Sequence, residues 1–213
     1  MSNDLKSRRE QEKQARYQAI LDAAEQIFSS KGYERTSMDD IARQARLSRA
    51  LLYVYFRDKA AIQRGIMLRA GESLRQRFAA ACREKNSGLE QIRAIGQAYY
   101  QFYLEEPDYF TALTQATTAM QDADEVQAEQ MLCGESATME LMVAAIRRGL
   151  ADGSLSRQRV RDPLNTALYL RGSFHGVIML CQQKMNAEGP LADYPREQLI
   201  EHTMAMLMSS IAG

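Results

Sequence analysis

Arg49, Ala50, Tyr53 and Val54 share one side of a short helical segment, residues 49–56, while Leu52 and Phe56, four residues apart, share the other. The first side carries a cation and an aromatic hydroxyl instead of the Glu/Lys mixture of a solvated face. A guanidinium at the exposed start of a helix can pair with O6 and N7 of guanine, which makes Arg49 a candidate base reader. Leu51 and Val54 can offer only apolar contact, most simply to a thymine methyl. Lys59, at the start of the next helix, adds its charge to the positive end of that helix dipole.

The elements that hold this face in place are compact. Ser37 is a helix N-cap with Asp40 three residues on, the spacing of a capping box. Ile41, Ala42 and Ala45 form a narrow apolar stripe, Leu47 plugs the turn, Ser48 caps the second helix and Asp58 caps a third. This is the layout of a helix-turn-helix, in which the second helix enters the major groove. A generic pair of short helices in an all-helical protein is the competing reading.

Four stretches carry a resemblance: Ile20-Leu-Asp-Ala-Ala-Glu-Gln-Ile-Phe28, Lys31-Gly-Tyr33, Thr36-Ser-Met-Asp-Asp-Ile-Ala42 and Leu52-Tyr-Val-Tyr-Phe-Arg-Asp-Lys59. In order and spacing, residues 17–66 resemble the DNA-binding domain of TetR-family transcriptional regulators. Family members usually have Gly where this chain has Arg46, and Gly-Thr or Pro-Thr where it has Ala50-Leu51. A left-handed Arg costs about 1 kcal/mol relative to Gly. The resemblance implies that Tyr53 and Tyr55 place their hydroxyls on phosphates. The expected DNA-binding set is Ser37, Ser48, Arg49, Ala50, Leu51, Tyr53, Val54, Tyr55 and Lys59.

Composition agrees with this class. Many Ala, Leu, Met, Gln, Glu and Arg residues with four prolines predict an all-α chain of about nine helices. The expected division is a helix-turn-helix head with an N-terminal arm, residues 1–60, and a larger helical body, residues 61–213. Net charge is zero, yet residues 1–64 hold 13 Lys/Arg against 9 Asp/Glu, and residues 65–213 hold 14 against 18. A basic head on an acidic body fits a nucleic-acid partner. No apolar run approaches the roughly 20 residues needed to cross a bilayer. The charged N-terminus lacks an apolar signal segment, so a cytoplasmic protein without membrane association is expected. Cys82, Cys133 and Cys181 have no metal-ligand spacing and read as buried thiols.

Periodicity predicts helices over residues 16–30, then 59–83, 89–104, from Pro107, from residue 125 to about 150, from Pro163 to about 185, and 196–211. Residues 1–14, with Lys6, Arg8, Arg9 and Lys13, are expected as a solvated tail that could meet phosphates or a minor groove once DNA is bound. Gly32 is expected to end the first helix, with Tyr33 packing back on it. Residues 85–88, 121–124 and 186–195 read as loops or breaks.

Enzymatic constellations are missing from the sequence. There is no Gly-rich phosphate loop, no paired metal spacing and no nucleophile elbow, and no cofactor is expected. His175 reads either as a packing histidine or as one that meets a ligand or an interface. The body is rich in Tyr and Met, most of it core, including Met120. A pocket there would draw on Tyr99, Tyr103, Phe110, Met139, Met142, Phe174 and His175. Few charges line these faces, so a small, largely apolar effector is expected. The family resemblance raises this reading and implies a mechanism: ligand pushes on helix 59–83 and changes the spacing of two heads on a palindromic operator.

The last two helices are apolar on two faces. Leu164, Leu168, Arg171, His175 and Ile178 form one stripe, with Gly172 and Gly176 permitting close approach. Leu168, Arg171, Gly172, His175, Ile178, Thr203, Met206 and Ser210 are the expected homodimer contacts, in a four-helix interface. The reading is a ligand-responsive dimeric repressor. Its rivals are a regulator of the same fold that answers a protein partner or thiol oxidation, and a helical carrier or enzyme with no DNA role.

Overall fold

α1 starts well before the apolar periodicity that predicts it. In the computed structural model, which describes residues 2–114, 125–182 and 195–213, this helix runs Ser2–Lys31. The segment expected as a solvated tail is thus helical, although residues 7–16 are all exposed. Helix that continues from a packed turn escapes the cost of nucleation. The Arg8–Glu12 contact at 3.2 Å adds a little local support.

Eight further helices follow among the described residues: α2 (Met38–Gln44), α3 (Arg49–Tyr55), α4 (Lys59–Cys82), α5 (Gly88–Glu105), α6 (Pro107–Thr114), α7 (Glu125–Asp152), α8 (Pro163–Gln182) and α9 (Arg196–Ile211). Met120, the expected break at 121–124 and residues 186–194 of the expected loop lie outside the described residues. Gly32 ends α1 with φ of +85°, and its N–H bonds the Phe28 carbonyl at 2.9 Å. Tyr33 then folds back edge-on to Phe28, with ring centroids 5.1 Å apart.

The chain forms two compact units, Met1–Gly71 with Glu106–Leu132, and Glu72–Glu105 with Cys133–Gly213. The division falls inside α4, not after residue 60, and α6 belongs to the first unit. The reason is apolar. Ile62, Ile66 and Met67 of α4 and Ala112 of α6 join Ile20, Leu21 and Ala24 of α1, Ile41 and Ala42 of α2, and Leu52 and Phe56 in one buried cluster. Each large side chain fully buried there contributes about 1.5–3 kcal/mol.

The second unit holds a close helix crossing. A Cβ added to Gly88 would lie 2.1 Å from the Gly149 nitrogen, so α5 begins in backbone contact with α7. The start of α5 is capped from outside: Asp152 accepts the Gly88 N–H at 2.8 Å and Ser154 Oγ the Leu89 N–H at 3.1 Å. On α8, Ala167, Leu170, Phe174, Ile178 and Cys181 are buried, and on α9 Ile200, Leu207, Met208 and Ile211. A lone antiparallel bridge joins Leu155 to Ala212 among the described residues. No helix among them is long and apolar enough to cross a membrane.

Candidate nucleic-acid interface

Three local devices build the head. The first is the capping box at α2: Asp40 N–H bonds Ser37 Oγ at 3.2 Å, and Ser37 N–H bonds Asp40 Oδ2 at 3.0 Å. The Lys31 ammonium reaches the same carboxylate at 2.5 Å. That hydrogen bond first, then those from Ser37, hold the Asp40 carboxyl far below the usual carboxylate range. The second device is the turn. Arg46 takes φ of +56°, Arg46 N–H bonds the Arg43 carbonyl at 3.2 Å and Leu47 N–H bonds the Ala42 carbonyl at 2.9 Å. This is a Schellman closure made without glycine. The third is Ser48, whose hydroxyl accepts the Leu51 N–H at 3.2 Å and starts α3.

α3 is mounted by Leu52, 0% exposed, and by its C-cap Phe56. Arg49, Ala50, Tyr53 and Val54 all face solvent, Val54 at 77%. Leu51 and Tyr55 are half-buried, and Tyr55 packs against the buried cluster. Arg49 is engaged already: its Nη1 lies 3.3 Å from Asp39 Oδ2, and its guanidinium sits over the Tyr53 ring, 5.6 Å from the centroid.

Lys59 departs from the expectation of a charge left for phosphate. Its Nζ donates to the Tyr33 carbonyl at 2.7 Å and to the Glu34 carbonyl at 3.3 Å, above the Tyr33 ring. It therefore ties the start of α4 to the turn between α1 and α2. Asp58 caps α4 as expected, accepting the Ala61 N–H at 2.7 Å. Periodicity does not reveal Arg64 or Arg69. Arg64 is fully buried, 3.9 Å from Asp58 Oδ1. Arg69 Nη1 bonds Asp22 at 2.7 Å and Glu25 at 2.9 Å, Nη2 bonds the Gln18 amide oxygen, and Tyr109 of α6 shares the same network.

The residues expected to line a ligand pocket are only partly brought together. Tyr99 bonds His175 at 2.7 Å, and Phe78 meets Tyr99 edge-on with centroids 6.3 Å apart. Tyr103 stacks on Tyr100, and Met142 and Phe174 are buried. Phe110 belongs to the first compact unit instead, because α6 does. An open groove of about 300 Å³ in the second unit is lined by Glu135, Ser136, Met139, Glu140, Val143 and Leu164, so of the expected walls it contains Met139 alone.

Of the expected dimer contacts, Leu168, Arg171, Gly172 and Met206 are exposed, and His175, Thr203 and Ser210 are partly so. Ile178 is a correction: it is 0% exposed, covered within its own chain, and has no surface for a partner. A Cβ added at Gly172 or Gly176 would meet nothing within 4 Å. Cys133 is exposed, against the expectation of three buried thiols. Burial pushes the Cys82 and Cys181 thiols up, away from reactive thiolate.

A capped helix-turn-helix with an outward recognition face, followed by a separate helical unit, defines a class of DNA-binding regulators. Residues 20–64 match the family model for bacterial regulatory proteins of the tetR family, and residues 92–207 match the tetracyclin repressor-like C-terminal domain. The chain belongs to the TetR family of transcriptional regulators. The HTH-type transcriptional activator FasR of Mycolicibacterium smegmatis is 27% identical over 119 residues, 49% of this chain and 54% of FasR. The chain thus spans about half the length of that relative. PfmR from Thermus thermophilus shares the fold with TM-score 0.66 and 23% identity, covering 89% of this chain and 97% of PfmR. FadR from Bacillus subtilis, in complex with stearoyl-CoA, shares it with TM-score 0.68 and 16% identity, covering 92% and 99%.

Proposed function

We propose that the chain is a dimeric, ligand-responsive repressor that reads a palindromic operator with α3 and leaves it when a small, largely apolar effector binds the second unit. One observation carries the DNA reading: Leu52 and Phe56 anchor α3 while Arg49, Ala50, Tyr53 and Val54 all face outward. Arg49 reads guanine, Val54 and Leu51 meet thymine methyls, and Ala50 allows close approach. Tyr53, Tyr55, Ser37 and Ser48 lie along the phosphates, and Lys59 serves the interface by positioning the start of α4. The dimer reading is supported by Leu164, Leu168, Tyr169 and Met206, all about half-exposed or more, beside the open Gly172 and Gly176. Transmission falls to α4, one unbroken helix from Lys59 to Cys82.

The test begins with selection from a random duplex pool. An inverted repeat with half-site centres about 34–36 Å apart is expected. A folded chain that enriches no sequence would sink the reading. Solution mass separately tests the dimer. Stearoyl-CoA, bound by FadR, is the first effector to try, and release of the selected duplex is the expected response. A reporter driven from the selected site distinguishes repression from the activation for which FasR is named.

A further inference from the structure

Arg9, Lys13 and Arg16 stand at i, i+4 and i+7 of α1 and so share one face of the helix. All three are exposed, and no ion pair engages them among the described residues. Arg8 differs, since Glu12 answers its charge at 3.2 Å. At 1.5 Å rise per residue the three cations span about 10 Å of the helix axis. Residues 6–16 hold Lys6, Arg8, Arg9, Lys13 and Arg16 against Glu10 and Glu12, in a chain whose net charge is zero.

The position of this face is set by the next residue. Tyr17 stacks on Phe56, with ring centroids 4.8 Å apart and planes 28° apart, and Phe56 is the C-cap of α3. The basic face therefore starts one residue from the point where α1 is pinned to the end of the recognition helix. Both lie in the first compact unit.

We propose that residues 9–16 of α1 are a phosphate-binding arm that grips duplex DNA beside the bases read by α3. A row of cations suits a phosphate backbone, which presents one charge per roughly 1.7 Å of duplex axis and asks for no particular base. Between residues 7 and 16 Ala15 is the only apolar side chain, so this stretch of α1 lacks the face that an interfacial membrane helix inserts. The arm sets affinity and salt dependence while α3 sets preference. This inference rests on the DNA-binding reading above.

The experiment uses the full chain and a labelled duplex of arbitrary sequence, roughly 30 bp or three helical turns, followed by anisotropy across a salt series. R9Q/K13Q/R16Q should keep its helicity, because Gln is a good helix former. Its plot of log affinity against log salt should be shallower by roughly two to three units per bound subunit. R8Q, whose charge is already answered, should change the slope by less than about one unit. On duplexes selected from a random pool, the triple variant should keep the wild-type ranking of sequences. A wild-type slope in the triple variant overturns the arm and leaves the DNA reading standing. Loss of binding to phosphatidylglycerol vesicles with an unchanged duplex slope also overturns it, in favour of a membrane surface. A wild-type chain with no salt-dependent duplex binding would remove the DNA reading itself.

Discussion

Tyr99 Oη lies 2.7 Å from Nδ1 of His175 and joins α5 to α8 within the second unit. Burial pushes the phenol up to about 12, so it stays protonated and donates to the ring nitrogen. Burial first, and then the charge of Arg171, lower the pKa of His175, so the imidazole is neutral and can accept that bond. The ring proton accordingly sits on Nε2. A partly buried pair of this kind orders the unit and makes part of its stability depend on pH.

The sign of that dependence follows from linkage. The unfolded imidazole binds its proton first as pH falls, because its pKa of 6.5 lies above the folded value. Stability is therefore full above the unfolded value and is lost as pH falls through the folded one. H175Q should flatten the fall in melting temperature between about pH 8 and pH 5 relative to wild type. Parallel melting curves for the two proteins would remove the linkage.

Arg46 is a second site with a clear direction. At φ of +56° its Cβ is strained in a way that glycine avoids. Arg46→Gly should stabilise the first unit by about 1 kcal/mol, read as a higher denaturant midpoint with unchanged slope. No gain would mean that the long arginine side chain offsets the strain by contacts of its own.

Gly88 tests the crossing of α5 and α7. An added methyl meets backbone atoms of Gly149 and Ala145, which cannot rotate away. Gly88→Ala should cost about 2–3 kcal/mol, seen as a lower melting temperature. A wild-type melting temperature would show that the two helices separate cheaply.

Lys59 and Arg49 should separate stability from recognition. Lys59→Met removes the donor to the Tyr33 and Glu34 carbonyls and should cost about 1–2 kcal/mol of stability. Arg49→Ala loses an exposed ion pair with Asp39 and its contacts with Tyr53, all at the surface, so thermal stability should stay near wild type. Its cost falls on DNA: about 1–3 kcal/mol on the best site, with preference flattened at one base pair of each half-site. Unchanged preference in Arg49→Ala would reassign Arg49 as a phosphate clamp.

The head was legible for a physical reason. Ser37 with Asp40, Ser48 and Asp58 make bonds within three residues of themselves, so spacing alone predicts the caps that are found. Alternation of Leu52 and Phe56 with Arg49, Tyr53 and Val54 likewise predicts which side of α3 is buried. α9 runs Arg196–Ile211, as its periodicity predicts. Ser87 with Glu90 forms another capping box whose spacing is equally readable, in a stretch expected as a plain loop.

Sequence therefore sufficed for the family, the all-α class and the outward face of α3, because each depends on neighbours within a turn or two of helix. It left open every feature made by residues far apart in the chain. Lys59 looks like a free cation until the turn of Tyr33 and Glu34 folds over it, 25 or 26 positions away. Ile178 looks like part of an outer stripe until its own chain covers it. Tyr99 and His175 are separated by 76 positions, and no spacing rule could pair them. Capping and periodicity are local energies written in order along the chain. Burial, and the pKa shifts that follow from it, arise only when distant helices share one core.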